Sequence, residues 1–163
     1  MPDCVRAWSK GKVAIIRNPR ATRPWQHVLE PLSGYLWLGA SLLKDNQLSG
    51  DSFNFGPYQR ASKDVGALAD YFVSLWANAS WEHVPSGGKK KEALLLQLSA
   101  RKTVNKLSWR SVLSFKETIE FTASWYKEYY NHKLDMMDYS CRQIDEYIRK
   151  ADLLGLTWAK GAG

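Results

Sequence analysis

Three arginines, Arg17, Arg20 and Arg23, fall within seven residues and share their stretch with Pro19, Pro24, Trp25, His27 and Glu30. A guanidinium carries paired, permanently charged donors that match the oxygens of a phosphate. The prolines fix the backbone locally and push Asn18 and Arg23, the residues before them, towards extended geometry. A rigid, extended, arginine-bearing segment is suited to gripping a phosphate-bearing ligand. The same composition also describes an ordinary solvated basic loop.

Other constellations that could do chemistry are sparse. The sequence holds no G-x-G-x-x-G turn and no P-loop for a nucleotide. His27, His83 and His132 have no ligand-like spacing with carboxylates or cysteines. There is no G-x-S-x-G nucleophile elbow. Cys4 and Cys141 form neither a disulfide framework nor a nucleophile motif, and read as structural, reduced thiols. The one Tyr-x-x-x-Lys spacing, Tyr129 and Lys133, is a chance match in a chain rich in both residues. Of the eight tryptophans, Trp37, Trp76 and Trp125 sit at apolar helical positions and read as core, whereas Trp25 stands beside Arg23 and is available to a ligand.

The net charge of +7 is uneven. Residues 1–25 carry six Lys/Arg against Asp3, and residues 85–110 carry seven against Glu92. Two such clusters are compatible with one anion site, with two faces of a nucleic-acid binder, or with a plain solvated surface. Apolar residues make up 45% of the 163, enough for a packed core, and no apolar run approaches a membrane span. Met1 leads straight into a polar segment, so a soluble, cytoplasmic protein is expected.

The elements that must position these residues follow from periodicity, and together they predict a helix-rich, mixed α+β (α/β) fold with short strands. A helix is expected over 3–9 and a strand over 13–16, followed by the arginine stretch, extended from Trp25 to Val28. Glu30 and Pro31 open a helix to about Leu43 that is apolar nearly all round, and therefore expected to be buried. Phe53–Phe55 reads as a brief strand, and Ser62 as the cap of a helix running to Trp76. Strands are expected over 79–84 and 93–98, around a flexible loop with Lys89, Lys90 and Lys91. Residues 100–107 form a short basic helix. Ser114 with Glu117 is a capping-box signature, and Ser140 with Gln143 repeats it before a last helix. Residues 1–150 are taken as one domain, and 151–163 as a frayed tail.

The run IIRNPRATRPWQHVLEPLSGYLWLGASLL, followed by FNFGP, KEALLLQLSARKTVNKLSW and WYKEYY, closely resembles the C-terminal half of the CDP-glucose 4,6-dehydratase family. These are nucleotide-sugar enzymes of the extended short-chain dehydrogenase/reductase class. The resemblance covers roughly residues 2–148 and implies a substrate domain lacking the Rossmann half that holds NAD and the catalytic Tyr/Lys pair. No catalytic residue, metal or cofactor is therefore expected on this chain itself. The resemblance assigns Arg23 to the diphosphate of a nucleotide sugar, CDP-glucose being the expected ligand. It places Arg17 and Asn54 near the nucleotide, Trp25 within the same string, and Lys91 with Glu92 at a second phosphate contact. The sequence departs from the family at Lys91, where His is usual, at Ser99 for Asp, at Thr103 for Ala and at Ser108 for Gly.

Three readings follow. The first is a nucleotide-sugar-binding fragment, inactive alone; the position of Met1 suggests a C-terminal piece. The second is an enzyme completed by a separate Rossmann subunit, with poor solubility or self-association in its absence. The third is a basic nucleic-acid binder, the weakest, because the recognised string already accounts for the arginines.

Overall fold

The computed structural model describes residues 1–57, 63–85, 96–132 and 134–160. Helices α1 (Pro2–Trp8), α2 (Leu29–Lys44), α3 (Val65–Leu75), α4 (Arg101–Leu107), α5 (Phe115–Asn131) and α6 (Met136–Leu153) dominate. Strands are short: β1 (Ala14–Ile16), β2 (Thr22–Arg23), β3 (Lys63–Asp64) and β4 (Trp81–His83). β1 pairs with β4 in parallel, and β2 with β3 antiparallel. The fold is thus the expected helix-rich α/β mixture.

Two apolar clusters hold it together. Val5, Trp8, Ala14, Leu68, Phe72, Ile119 and Ala123 join α1, β1, α3 and α5. Phe55, Leu107 and Trp109 form the second, against α2 through Trp37 and Leu38. Gly34 makes this second contact possible: a Cβ there would overlap the Phe55 ring. Trp37 Nε1 also donates to the Leu107 carbonyl at 2.7 Å, fastening α2 to the end of α4.

Side-chain caps start α3, α5 and α6. Ser114 and Glu117 form the reciprocal capping box expected of them. The start of α3 differs from expectation: its cap is Asp64, which accepts from Ala67 N at 2.7 Å, while Ser62 lies outside the described residues. α6 begins four residues before Ser140, capped by Asp135. Ser140 instead sits inside the helix, accepting from Trp125 Nε1 at 3.0 Å and donating to the Met136 carbonyl. A capping pattern alone did not reveal that Asp135 competes for the same role.

Other expectations are corrected. Phe53–Phe55 is not a strand: the Thr103 hydroxyl ties up the Asn54 carbonyl at 2.6 Å, and Phe55 turns into the core. Leu96–Leu98 is irregular, and the rest of that expected strand lies outside the described residues. α2 is not buried all round: Leu36 is 77% and Leu43 91% exposed, with Leu32 and Tyr35 also open. The segment expected to fray after residue 150 continues α6 and then turns at Gly155 (φ +67) to bury Leu156. Ser108, standing where the resemblance expects glycine, adopts the left-handed conformation that glycine favours (φ +52) and ends α4.

Gly34 yields a test whose sign is diagnostic. In an exposed helix Gly→Ala stabilises by up to about 1 kcal/mol. Overpacking against Phe55 costs about 1–3 kcal/mol. Gly34→Ala is therefore expected to lower Tm by several degrees in thermal unfolding, and a raised Tm would contradict the packing described.

Candidate functional site

Arg23 lines the more polar of two cavities, about 760 Å³ in volume and of mixed polar and apolar lining. β2 delivers it, and the irregular 97–100 segment, α4, Ser111, Leu113 and Ser114 contribute the other walls. Arg23 Nη1 donates to its neighbour's carbonyl, Thr22 O, at 2.7 Å, which steadies the base of the guanidinium. Trp25 lines the same cavity, and its indole donates to Lys63 O at 2.9 Å, locking β3 beside it.

The segment that supplies Leu113 to this lining is held by one buried carboxylate. Glu30, 1% exposed, accepts from Leu113 N at 2.7 Å, from Val112 N at 3.0 Å and from the Tyr147 hydroxyl at 2.8 Å. Ser33 bridges Tyr147 and Trp109, with oxygen–oxygen and nitrogen–oxygen distances of 3.0 and 3.1 Å. Glu30 stands in the first turn of α2, as expected of a residue that opens the helix, but its backbone partners lie some 80 residues away. Burial pushes its carboxyl above the ordinary carboxylate range, against the lowering pull of those three donors. Burial and the Glu30 charge together raise the Tyr147 hydroxyl, which therefore stays a donor.

A second cavity, of about 550 Å³ and largely apolar, lies on the other side of Trp25. Gln26, His27, Trp125, Tyr126 and Gln143 line it. Gln26 Nε2 donates to the Phe55 carbonyl at 3.1 Å, while its Oε1 is buried without a hydrogen-bond partner among the described residues.

The structure brings only part of the sequence-derived set together. Arg23 and Trp25 share the polar cavity. Asn54 does not line it; its Nδ2 donates to Ser99 O at 3.4 Å, bracing a residue that does. Arg17 is exposed at the end of β1 and is not among the described residues lining either cavity. Lys91 and Glu92 lie outside the described residues. So does Lys133, while Tyr129 stacks on Trp125 at 5.5 Å. Two cations in the polar cavity were missed by sequence reasoning: Lys63 and Arg101. The only signal for Arg101 was the basic character of its helix, and Lys63 carried none. Among the described residues no group of three or more His, Cys, Asp or Glu is placed to hold a metal ion. None of their helices is long and apolar enough to cross a membrane. The arrangement can hold an anion beside an aromatic surface.

His27 supplies a pH test of this region. It is 8% exposed and packs edge-on to Phe121, and its Nδ1 accepts from Leu29 N at 3.3 Å. Burial lowers its pKa from 6.5 to about 4, so the imidazole is neutral at pH 7. The unfolded chain takes the proton first as pH falls. Stability is thus undiminished by this group above about pH 6.5 and is lost as pH drops towards 4, by up to about 3 kcal/mol. Glu30, with its raised pKa, acts in the opposite sense: its contribution is full at low pH and is lost as pH rises through its folded value. Comparing wild type with His27→Asn in urea at pH 4.5 and 7 isolates the imidazole. The variant is expected to lose less stability on acidification; equal losses would contradict the buried, neutral His27.

Comparison with known proteins gives these residues a context. No protein-family model matches the chain. It is 35% identical, over 149 residues, to CDP-glucose 4,6-dehydratase of Salmonella typhimurium. That match takes in 91% of this chain and 41% of the enzyme, so the chain spans about two fifths of the length of the curated relative it matches. The shared region is long enough that it must include the arginine string, the Glu30 helix and the cavity walls. Over nearly its whole length, then, the chain is similar to a CDP-glucose 4,6-dehydratase, of which it represents less than half.

Proposed function

We propose that this chain is the substrate-holding part of a CDP-glucose 4,6-dehydratase-like protein, and that its polar cavity takes the diphosphate of a nucleotide sugar, CDP-glucose being the expected one. The observation that carries the reading is the presence of Arg23, within the Arg-Pro-Trp string, on a cavity of suitable size. In that role Arg23 offers a bidentate grip on phosphate oxygens, Trp25 offers an apolar surface beside it, and Ser99, Ser111 and Asn105 offer neutral polar groups. Glu30 acts at one remove, by holding the backbone of the 112–113 segment.

Oxidation of a sugar carbon needs a hydride acceptor, which NAD supplies in the intact family. The residues that follow β1 argue against that cofactor here. β1 is followed by Arg17, Asn18, Pro19 and Arg20, not by a glycine turn that opens a helix towards a pyrophosphate. We assign no hydride-transfer step to these residues, and the function proposed is binding and orientation.

A second reading, an enzyme completed by a separate NAD-binding Rossmann subunit, is favoured by one observation. Val28, Leu32, Tyr35, Leu36, Leu42 and Leu43 recur at helical spacing on the exposed side of α2. An uncharged stripe of that length is unusual on a solvated surface. Co-expression with a Rossmann fragment should then yield dehydratase product and a stable complex; neither appearing would leave the binding reading alone.

The first reading is tested by calorimetric titration with CDP and CDP-glucose. One charged, bidentate contact is worth about 1.5–3 kcal/mol, so Arg23→Ala should weaken binding roughly 10–150-fold. Unchanged affinity would remove Arg23 from the site. Salt-steep binding of arbitrary oligonucleotides, with no preference for CDP over other nucleotides, would instead support a nucleic-acid binder.

A further inference from the structure

We propose that Lys63 and Arg101 complete the anion grip begun by Arg23, and that these three cations make the polar cavity prefer diphosphates to monophosphates. This rests on the reading of that cavity as a phosphate site. The first observation is the register of the small antiparallel ladder, in which Arg23 lies directly opposite Lys63. Like charges in that relation destabilise a sheet unless something offsets them. Both residues line the same cavity, and Arg101 lines it from the start of α4.

The second observation is where the neighbouring carboxylates are committed. Asp64, next to Lys63, is occupied by the α3 cap. Asp51 engages the other two cations of α4, Lys102 at 3.1 Å and Lys106 at 3.4 Å. Glu117 accepts from Ser114 N and from Lys150, both at 2.8 Å. No Asp or Glu occurs among the described residues lining the cavity, and neither Lys63 nor Arg101 makes a side-chain ion pair among them. Among the described residues, Asp51 and Glu117 thus pair with cations outside the cavity, and Asp64 caps a helix.

Two guanidinium forks and one ammonium match a ligand with two phosphoryl groups. Each fork addresses one phosphoryl in paired hydrogen bonds, and the ammonium acts as a mobile point charge. A single phosphoryl group cannot engage all three, so charge number becomes the basis of selection.

The test uses the whole chain with inorganic pyrophosphate, orthophosphate and CDP as probes. Wild type should bind pyrophosphate at least roughly tenfold more tightly than orthophosphate. Lys63→Gln and Arg101→Gln should each weaken pyrophosphate and CDP binding about tenfold. Lys63→Gln should not lower the Tm of the ligand-free protein, because it removes a like charge set opposite Arg23; a merely structural role predicts the opposite. Lys106→Gln, paired with Asp51 outside the cavity, should leave affinity within about twofold. If CDP binds in an Arg23-dependent way while both variants keep wild-type affinity, or weaken it only as folded protein is lost, the trio is wrong and the diphosphate reading stands. If wild type binds neither CDP nor pyrophosphate, the reading itself fails and this inference with it.

Discussion

One buried carboxylate organises the polar half of this molecule. Taking Glu30 out of water is costly unless its oxygens are satisfied, and they are, by two backbone N–H groups and a tyrosine hydroxyl. The consequence is geometric. α2 cannot shift against the 112–113 segment, nor α6 against either, without stranding a charge or a buried donor. Because α5 starts immediately after that segment, its capping box and the adjoining cavity wall are fixed in the same step. Seven residues before Glu30, Arg23 lines the same cavity as Leu113. One short stretch of chain thus supplies both Arg23 and the carboxylate that holds the 112–113 segment.

Trp25 divides the surroundings of this stretch into two chemical environments. On one side, cations and small polar groups share a cavity lining with apolar residues. On the other, Trp125, Tyr126 and the neutral His27 make an apolar one. The indole serves both: its ring packs against the first core cluster, and its N–H fixes β3, and with it Lys63. The departures from the family pattern have local consequences of the same kind. Thr103 uses its extra hydroxyl to hold Asn54, and Ser108 accepts a left-handed backbone at the end of α4.

Arg23 and Trp25, carried by one uninterrupted string, come to line one cavity. Arg17 lies in the same string and Asn54 in the Phe-Asn-Phe-Gly-Pro motif, yet the first ends up exposed just after β1 and the second serves as a brace. Motif membership does not specify direction, which depends on the next element's register. Lys63 was illegible: nothing in its neighbours marks it, and only the pairing of β3 with β2 sets it opposite Arg23.

The sequence by itself determined what forms through short-range chemistry. That covers the predominance of helix, the Ser114–Glu117 capping box, the short basic helix ending near Leu107, and the rigid arginine-proline segment. Each depends on hydrogen bonds, caps or dihedral limits within about four residues. Tertiary structure decided which helix faces meet solvent, why the apolar α2 leaves Leu36 and Leu43 bare, and why Phe55 enters the core instead of pairing as a strand. It also decided that Glu30 meets partners some 80 residues away, and that three cations from separate segments share one cavity. Those outcomes depend on desolvation and packing between distant segments, whose energies are set only once the elements have docked.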